Sequence, residues 1–318
     1  MPSDPTTPDL ALWKFTADGA GSGSWSKQLS SDSAAFSNLT RPYGATTATG
    51  GDVGYALSGV VTSHSDPNFE GDAIPLPGLV SFNMSSGGWK NESSIGYSSN
   101  GMGLWGHMQH VPGFGTDGLL VMFGGQSTSP DLYQPGTFSN ANPEFIPFDN
   151  ITIYDPVSKI WHSQGTTGEH PSPRDSFCAV GVQGVNGTYE IFVHGGWNVE
   201  LNQAYDELYV LSIPGFVWFK ADYIPTSPRM VASCEVIGKR QMLIVGGLDL
   251  SQSPYAFSAG DPWRNGLGVF DISAMAWADE YDADAAAYES PGVVREWYSR
   301  GYVFLRFCPP FEQYLRPE

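Results

Sequence analysis

Three stretches decide the fold: residues 119–125, LLVMFGG; residues 190–196, EIFVHGG; and residues 241–247, QMLIVGG. Each reads as an apolar, partly β-branched strand. Each closes on a glycine pair: Gly124-Gly125, Gly195-Gly196 and Gly246-Gly247. A fourth, degenerate copy is GYALSGV at 54–60, where Ser58-Gly59 replaces the pair. Internal repetition of this kind sets the architecture before any local reading does.

A second pattern follows each copy of the first. LVSFNMSSGGW ends at Trp89, ITIYDPVSKIW at Trp161, LYVLSIPGFVW at Trp218 and GVFDISAMAW at Trp277. A large apolar residue sits seven positions before each Trp: Phe82, Tyr154, Leu211 and Phe270. The residues between carry turn chemistry, such as Asp155-Pro156. The pattern predicts a β-hairpin with the Trp on its second strand. A third element comes first: Ser172-Pro173-Arg174 and Ser227-Pro228-Arg229, with Arg41-Pro42 as a shorter echo. The order is then Pro-Arg, strand, strand with Gly-Gly, loop, strand, strand with Trp. That is one four-stranded antiparallel blade.

With these residues in place, the chain resembles the fungal kelch-repeat, galactose-oxidase-like β-propeller proteins over roughly residues 10–298. The expected fold is all-β, a kelch-type propeller with blades at about 41–90, 100–164, 172–220 and 227–280. A further hairpin at 10–28 ends at Trp25, and a tail occupies 299–318. The Trp residues lie 72, 57 and 59 positions apart, more than the ~50 usual for a kelch unit, with the excess in loops. The glycine pairs and the four Trp are expected to be structural: the pairs let the backbone bend, and the Trp supply contact between blades.

The resemblance implies a closed ring of six or seven blades, against about four and a half counted here. We therefore expect an incomplete ring from a fragment or a gene model missing its start, with segment 290–310, SPGVVREWYSRGYVFLRFCPP, adding one or two strands. Two faces are expected to lie open, one around Trp13 and Trp25, one around Trp297 and Phe304. Exposed apolar faces and strand edges predict self-association.

Composition narrows the function. Gly (38) and Pro (24) approach a fifth of the 318 residues without a collagen period, which fits many short strands and turns. The net charge of −18, with six Lys and nine Arg dispersed, disfavours nucleic acid and anionic membranes. No apolar run reaches the ~18 residues of a membrane span, and the start lacks the regions of a signal peptide. A leader or membrane anchor would then lie outside this chain. Five sequons, at Asn38, Asn83, Asn91, Asn150 and Asn186, point to the secretory pathway and the cell surface. Cys178 and Cys234 lie in apolar strand-like runs; they are expected as buried thiols, with an inter-strand disulfide as the alternative, and Cys308 is left over.

A galactose-oxidase-like copper site needs two His, a Tyr and a Cys-crosslinked Tyr converging at the axis. His107 and His110 are three apart on a first strand, hence on opposite faces. His194 reads as a core residue. The acidic stretch Asp279–Asp284 lacks the turn glycine and final Glu of an EF-hand. No metal, cofactor or catalytic residue is expected. Long loops carry Tyr133, Phe138, Phe145, Phe148, Tyr255, Phe257 and Trp263, which either meet a protein or glycan ligand or fold back to cap the blades. The expected function is a non-catalytic protein- or glycan-binding scaffold; the alternative is a metal-dependent oxidase.

Overall fold

The computed structural model of the protein describes residues 12–28, 31, 39–40, 42–62, 65, 69, 73–134, 139–140, 143–252 and 260–301. A hairpin comes first, β1 (Leu12–Ala17) and β2 (Gly23–Gln28). Four antiparallel blades follow. Blade 1 holds β3 (Thr46–Gly50), β4 (Val53–Leu57), β5 (Leu79–Asn83) and β6 (Trp89–Glu92). Blade 2 holds β7 (His107–Val111), β8 (Leu119–Phe123), β9 (Asn150–Asp155) and β10 (Ile160–Gly165). Blade 3 holds β11 (Cys178–Gln183), β12 (Tyr189–His194), β13 (Leu208–Ile213) and β14 (Val217–Lys220). Blade 4 holds β15 (Ser233–Ile237), β16 (Gln241–Val245), β17 (Leu267–Asp271) and β18 (Ala276–Ala278). The first strands of successive blades touch in order, β3 with β7, β7 with β11, and β11 with β15. First strands in mutual contact are the inner strands of a radial stack, which is how a propeller is built.

The seven-residue spacing is a cross-strand pair. Phe82 lies opposite Trp89, Tyr154 opposite Trp161, Leu211 opposite Trp218 and Phe270 opposite Trp277. Alternation along the strands gives each blade two apolar faces. We call the one toward the next blade in the chain its forward face and the other its rear face. The Trp side chains of blades 2 to 4 lie on rear faces and pack on what precedes them. Trp161 meets Tyr97, and its indole donates to the Ser93 carbonyl at 3.2 Å. Trp218 packs edge-on against Phe123 and Phe148. Trp277 packs on His194 and Tyr223. The core is accordingly a row of three interfaces. Leu57 and Leu79 meet Met108, Leu120 and Met122. Val121 and Phe123 meet Ile191, Leu211 and Trp218. Phe192 and Val210 meet Met242, Ile244 and Phe270.

Both glycines of every pair are left-handed, from φ 62° at Gly124 to φ 107° at Gly196. A Cβ on the second glycine would strike its own blade's lead-in, as Gly125 would meet the Gly106 nitrogen at 2.5 Å. A Cβ on the first would strike the next blade: Gly124 would meet Phe177, and Gly195 the Arg229 carbonyl at 2.3 Å. In the degenerate copy Ser58 keeps the left-handed φ of 55°. Its hydroxyl reaches blade 2 instead, accepting from the Gly103 N–H at 3.0 Å.

The Pro-Arg lead-ins lock onto these pairs. The Gly125 N–H donates to the Arg174 carbonyl at 3.0 Å, and the Gly196 N–H to that of Arg229 at 2.7 Å. Arg174 is buried, its guanidinium 3.5 Å from the Tyr205 ring centre and paired with Glu207 at 3.2 Å. Nearby, one residue per blade forms a backbone chain across the stack. Trp105 donates to the Gly44 carbonyl, Ser176 to that of Trp105, and Val231 to that of Ser176.

Two expectations are corrected. Cys178 and Cys234 are bonded, joining inner strands β11 and β15 of adjacent blades with Cα atoms 5.6 Å apart. The pair sits where two inner strands converge, a relation that separate strand readings do not reveal. Residues 292–299 form a helix, α1 (Gly292–Ser299), rather than a strand. The preceding segment crosses back to blade 3, where the Tyr288 hydroxyl donates to Glu190 at 3.1 Å. The Tyr298 hydroxyl accepts the Gly215 N–H at 2.9 Å, and Trp297 lies against Gly215. Trp297 thus covers blade 3 and is no part of an open face; Phe304 and Cys308 lie outside the described residues. Exposed apolar side chains are scattered over several turns, as at Ile95 and Ile224; they include Trp13, Phe15 and Trp25 together on the hairpin, and Val231, Val245 and Leu267 on blade 4.

Candidate functional site

A wide opening lies between blades 1 and 2, on the side formed by the first and third turns of each blade. It is a cleft of about 760 Å³. Its origin is a change of side-chain size. The forward face of β3 carries Thr46, Ala48 and Gly50 where β7 carries His107, Gln109 and Val111. Small residues leave room that the interface between blades 2 and 3 fills with Val111, Phe114 and Phe216.

The walls are the Gly50-Gly51-Asp52 turn and the Asn83–Gly88 turn of blade 1, facing Pro112, Asp117 and Pro156 of blade 2. The floor holds Tyr55, Glu92, His110 and Tyr154. Glu92 is paired with Lys159 at 2.6 Å and accepts from the Tyr154 hydroxyl. The lysine and the tyrosine hold its carboxylate below its usual range against the effect of burial. Burial raises the Tyr55 hydroxyl, and Asp117 and Glu92 raise it further. The His110 ring is hydrogen-bonded through Nε2 to the Asp117 carbonyl at 2.9 Å. Carboxylates, hydroxyls and a lysine around an aromatic floor suit reversible contact with a polar ligand. They do not form a nucleophile–base–orienter chain.

The histidines diverge. His107 faces blade 3, in ring contact with Phe177, while His110 turns to blade 1 beside Gly50. Burial lowers His107 to about 4, so it stays neutral. His194 lies in the blade 3–4 interface with Nε2 3.2 Å from Asp206. Asp206 in turn accepts the N–H groups of Thr226 and Ser227 and so holds the lead-in to blade 4. The acidic stretch is a structured turn, with the Asp284 N–H donating to Asp282 at 2.9 Å and the Asp282 backbone bonded to Gln241.

The loop aromatics mostly fold inward. Tyr133 and Phe148 are buried, and Phe148 packs on Phe123, Phe177 and Trp218. Neither is presented to a partner, because each fills space between strands that the loops must span. Phe145 is half-buried, opposite Gln126 in a short strand pair. Trp263 is half-buried against His194 and Trp277, with the Arg229 guanidinium 5.1 Å from its ring. Phe138, Tyr255 and Phe257 lie outside the described residues. Among the sequons, Asn91, Asn150 and Asn186 are exposed, and Asn186 tips the β11–β12 turn. Asn83 is half-buried at the cleft wall, its Oδ1 accepting from Ser85 and Ser86. Asn38 lies outside the described residues.

Sequence reasoning missed the cleft, Asp206 and Glu190. Gly50 was the available signal, a glycine where the next repeat carries Val111.

No family model matches the chain. A kelch repeat-containing protein of Arthroderma benhamiae is 29% identical over 214 residues, 62% of this chain and 28% of the relative's length. The match therefore spans under a third of that relative. Repeat, blades and similarity agree: the chain is built of four-stranded antiparallel blades that repeat as in a propeller, and it is similar to a kelch repeat-containing protein.

Proposed function

We propose that the protein is a non-catalytic binding scaffold of the secretory pathway that holds a protein or glycan ligand at the cell surface. The observation that supports this best is the use made of its polar side chains. His194 and Asp206 fasten blade 4 to blade 3. Glu92 ties to Lys159 and Tyr154, and His110 to a backbone carbonyl. Groups that would otherwise supply acid–base or ligand chemistry are occupied in holding blades together, and the cleft offers contact rather than reaction. A propeller fold by itself does not choose a function.

Two further observations support the location. Asn91, Asn150 and Asn186 are exposed sequons, and Cys178–Cys234 is a disulfide, a bond that persists in oxidising compartments. The functional test is metal analysis of protein from a eukaryotic host. Metal below a tenth of stoichiometry is expected; one copper or iron per chain would replace this reading with the oxidase one. The location is tested by glycosidase treatment, with a mass loss expected and an unchanged mass decisive against it.

A further inference from the structure

Blade contact follows one rule, used three times. A rear face carrying a Trp opposite a large apolar residue, such as Tyr154 opposite Trp161, packs on the forward face of the blade before it. Two surfaces obey the rule and, among the described residues, lack their counterpart. The first is the β1–β2 hairpin. Phe15 lies opposite Trp25 with ring centres 5.1 Å apart, which reproduces the outer half of a blade. Trp13, Phe15 and Trp25 share one face and are 60%, 47% and 66% exposed. The second is the forward face of blade 4. Its β16 and β17 present Val245 opposite Leu267, 43% and 44% exposed. Val245 holds the place that Leu57, Phe123 and His194 hold in blades 1 to 3, all of them buried against the next blade. Gly246 tells the same story: a Cβ there would meet nothing within 4 Å, where Gly124 and Gly195 touch the following blade.

The hairpin does not reach that face within its own chain. Ser31, three residues past β2, is fixed to blade 1: its N–H and hydroxyl both meet the Gly87 carbonyl, at 3.2 and 2.9 Å. Blades 2 and 3 stand between that anchor and blade 4. A neighbouring molecule has no such tether to overcome.

We propose that the Trp13–Phe15–Trp25 face of the hairpin packs on the Val245–Leu267 face of blade 4 in a second copy. Reciprocal exchange gives a two-fold dimer with two equivalent contacts, a closed arrangement that leaves neither face unmatched. Each contact continues the interface already formed between blades 1 and 2, 2 and 3, and 3 and 4.

Sedimentation of the 318-residue protein across a concentration series tests this, alongside Trp25→Ser and Val245→Asp. The wild-type chain is expected to be a dimer. Each variant alone is expected to be a monomer, with the dissociation constant raised at least tenfold. Both sites are exposed, and near-ultraviolet circular dichroism matched to wild type confirms that the blades remain intact. The decisive arm is a mixture of the two variants. The hairpin of Val245→Asp and the blade face of Trp25→Ser are both unaltered, so the mixture regains one contact and associates. A wild-type monomer at every concentration overturns the proposal, including by docking within one chain. Association that survives both substitutions, or a mixture that stays monomeric, also overturns it.

Discussion

Val231 donates its N–H to the Ser176 carbonyl at 2.7 Å, and the two residues hold the same place in consecutive blades. Both are left-handed, φ 56° and 54°, as are Trp105 at 59° and Gly44 at 66°. The bond repeats because the turn repeats, with Gly, Trp, Ser and Val at the four places. Val is the poorest fit, since a β-branched residue at positive φ is a steric outlier. Val231 is also half-exposed, so its side chain contributes little packing. Val231→Gly is expected to stabilise the protein by about 1 kcal/mol, the cost of a left-handed residue less the entropy of glycine. Urea denaturation measures it, and a loss of stability would refute the strain.

The Cys178–Cys234 bond closes a 56-residue separation. Chain-entropy reasoning for a loop of that length gives about 4 kcal/mol, with measured bonds often lower. Cys178→Ala with Cys234→Ala is expected to lower the unfolding free energy by about 2 to 4 kcal/mol. Denatured, unreduced protein should alkylate at one cysteine of its three; alkylation at all three would show the pair to be open.

Two buried carboxyl groups set the pH dependence. Burial pushes Asp175 up to about 6, opposed by hydrogen bonds from Gln126 and Ser176. Glu190 is also raised by burial, opposed by the hydroxyls of Thr188, Tyr288, Ser212 and Ser290. A folded value above the unfolded one, ~3.9 for Asp, means a stabilising contribution present in full below that value. It is lost as pH rises through the folded value. Stability is therefore expected to fall between about pH 4 and 6 by roughly 2 to 3 kcal/mol from Asp175. Asp175→Asn should flatten that part of a urea-denaturation series, and an unchanged slope would count against the assignment.

Trp218 and Trp13 separate repeat position from exposure. Trp218 is 1% exposed, with its indole N–H shared between the Phe148 carbonyl and Thr166 Oγ1. Trp218→Ala is expected to cost about 3 to 5 kcal/mol. Trp13→Ala, at an exposed site, is expected within about 0.5 kcal/mol of wild type when measured at dilutions where the chain is a monomer. Equal losses would mean that the hairpin is packed in solution.

The blades were legible because glycine pairs and Trp spacing encode local geometry. Phe82 and Trp89 pair because a hairpin of that turn length leaves no other register, and the left-handed pair at Gly195-Gly196 admits no side chain without a clash. What stayed hidden depends on blades meeting. Phe148 looks like any loop aromatic until Phe123 and Trp218 arrive around it. The cleft exists because Gly50 faces His110 from another repeat. The run at 292–299 has the β-branched pair Val293-Val294 that suggests a strand, yet it forms a helix because Val294 and Tyr298, four apart, find the apolar edge of blades 3 and 4.

The return of the C-terminal segment to blade 3 has a kinetic corollary. Blade 4 is held at its inner strand by a covalent bond and at its turns by a segment that Tyr288 and Tyr298 fasten to blade 3. Stacked repeats otherwise open one neighbour at a time, with the least-contacted unit freest. Blades 3 and 4 are therefore expected to open to solvent deuterium together, with amide protection rising from the hairpin through blade 1 to a plateau in the linked pair.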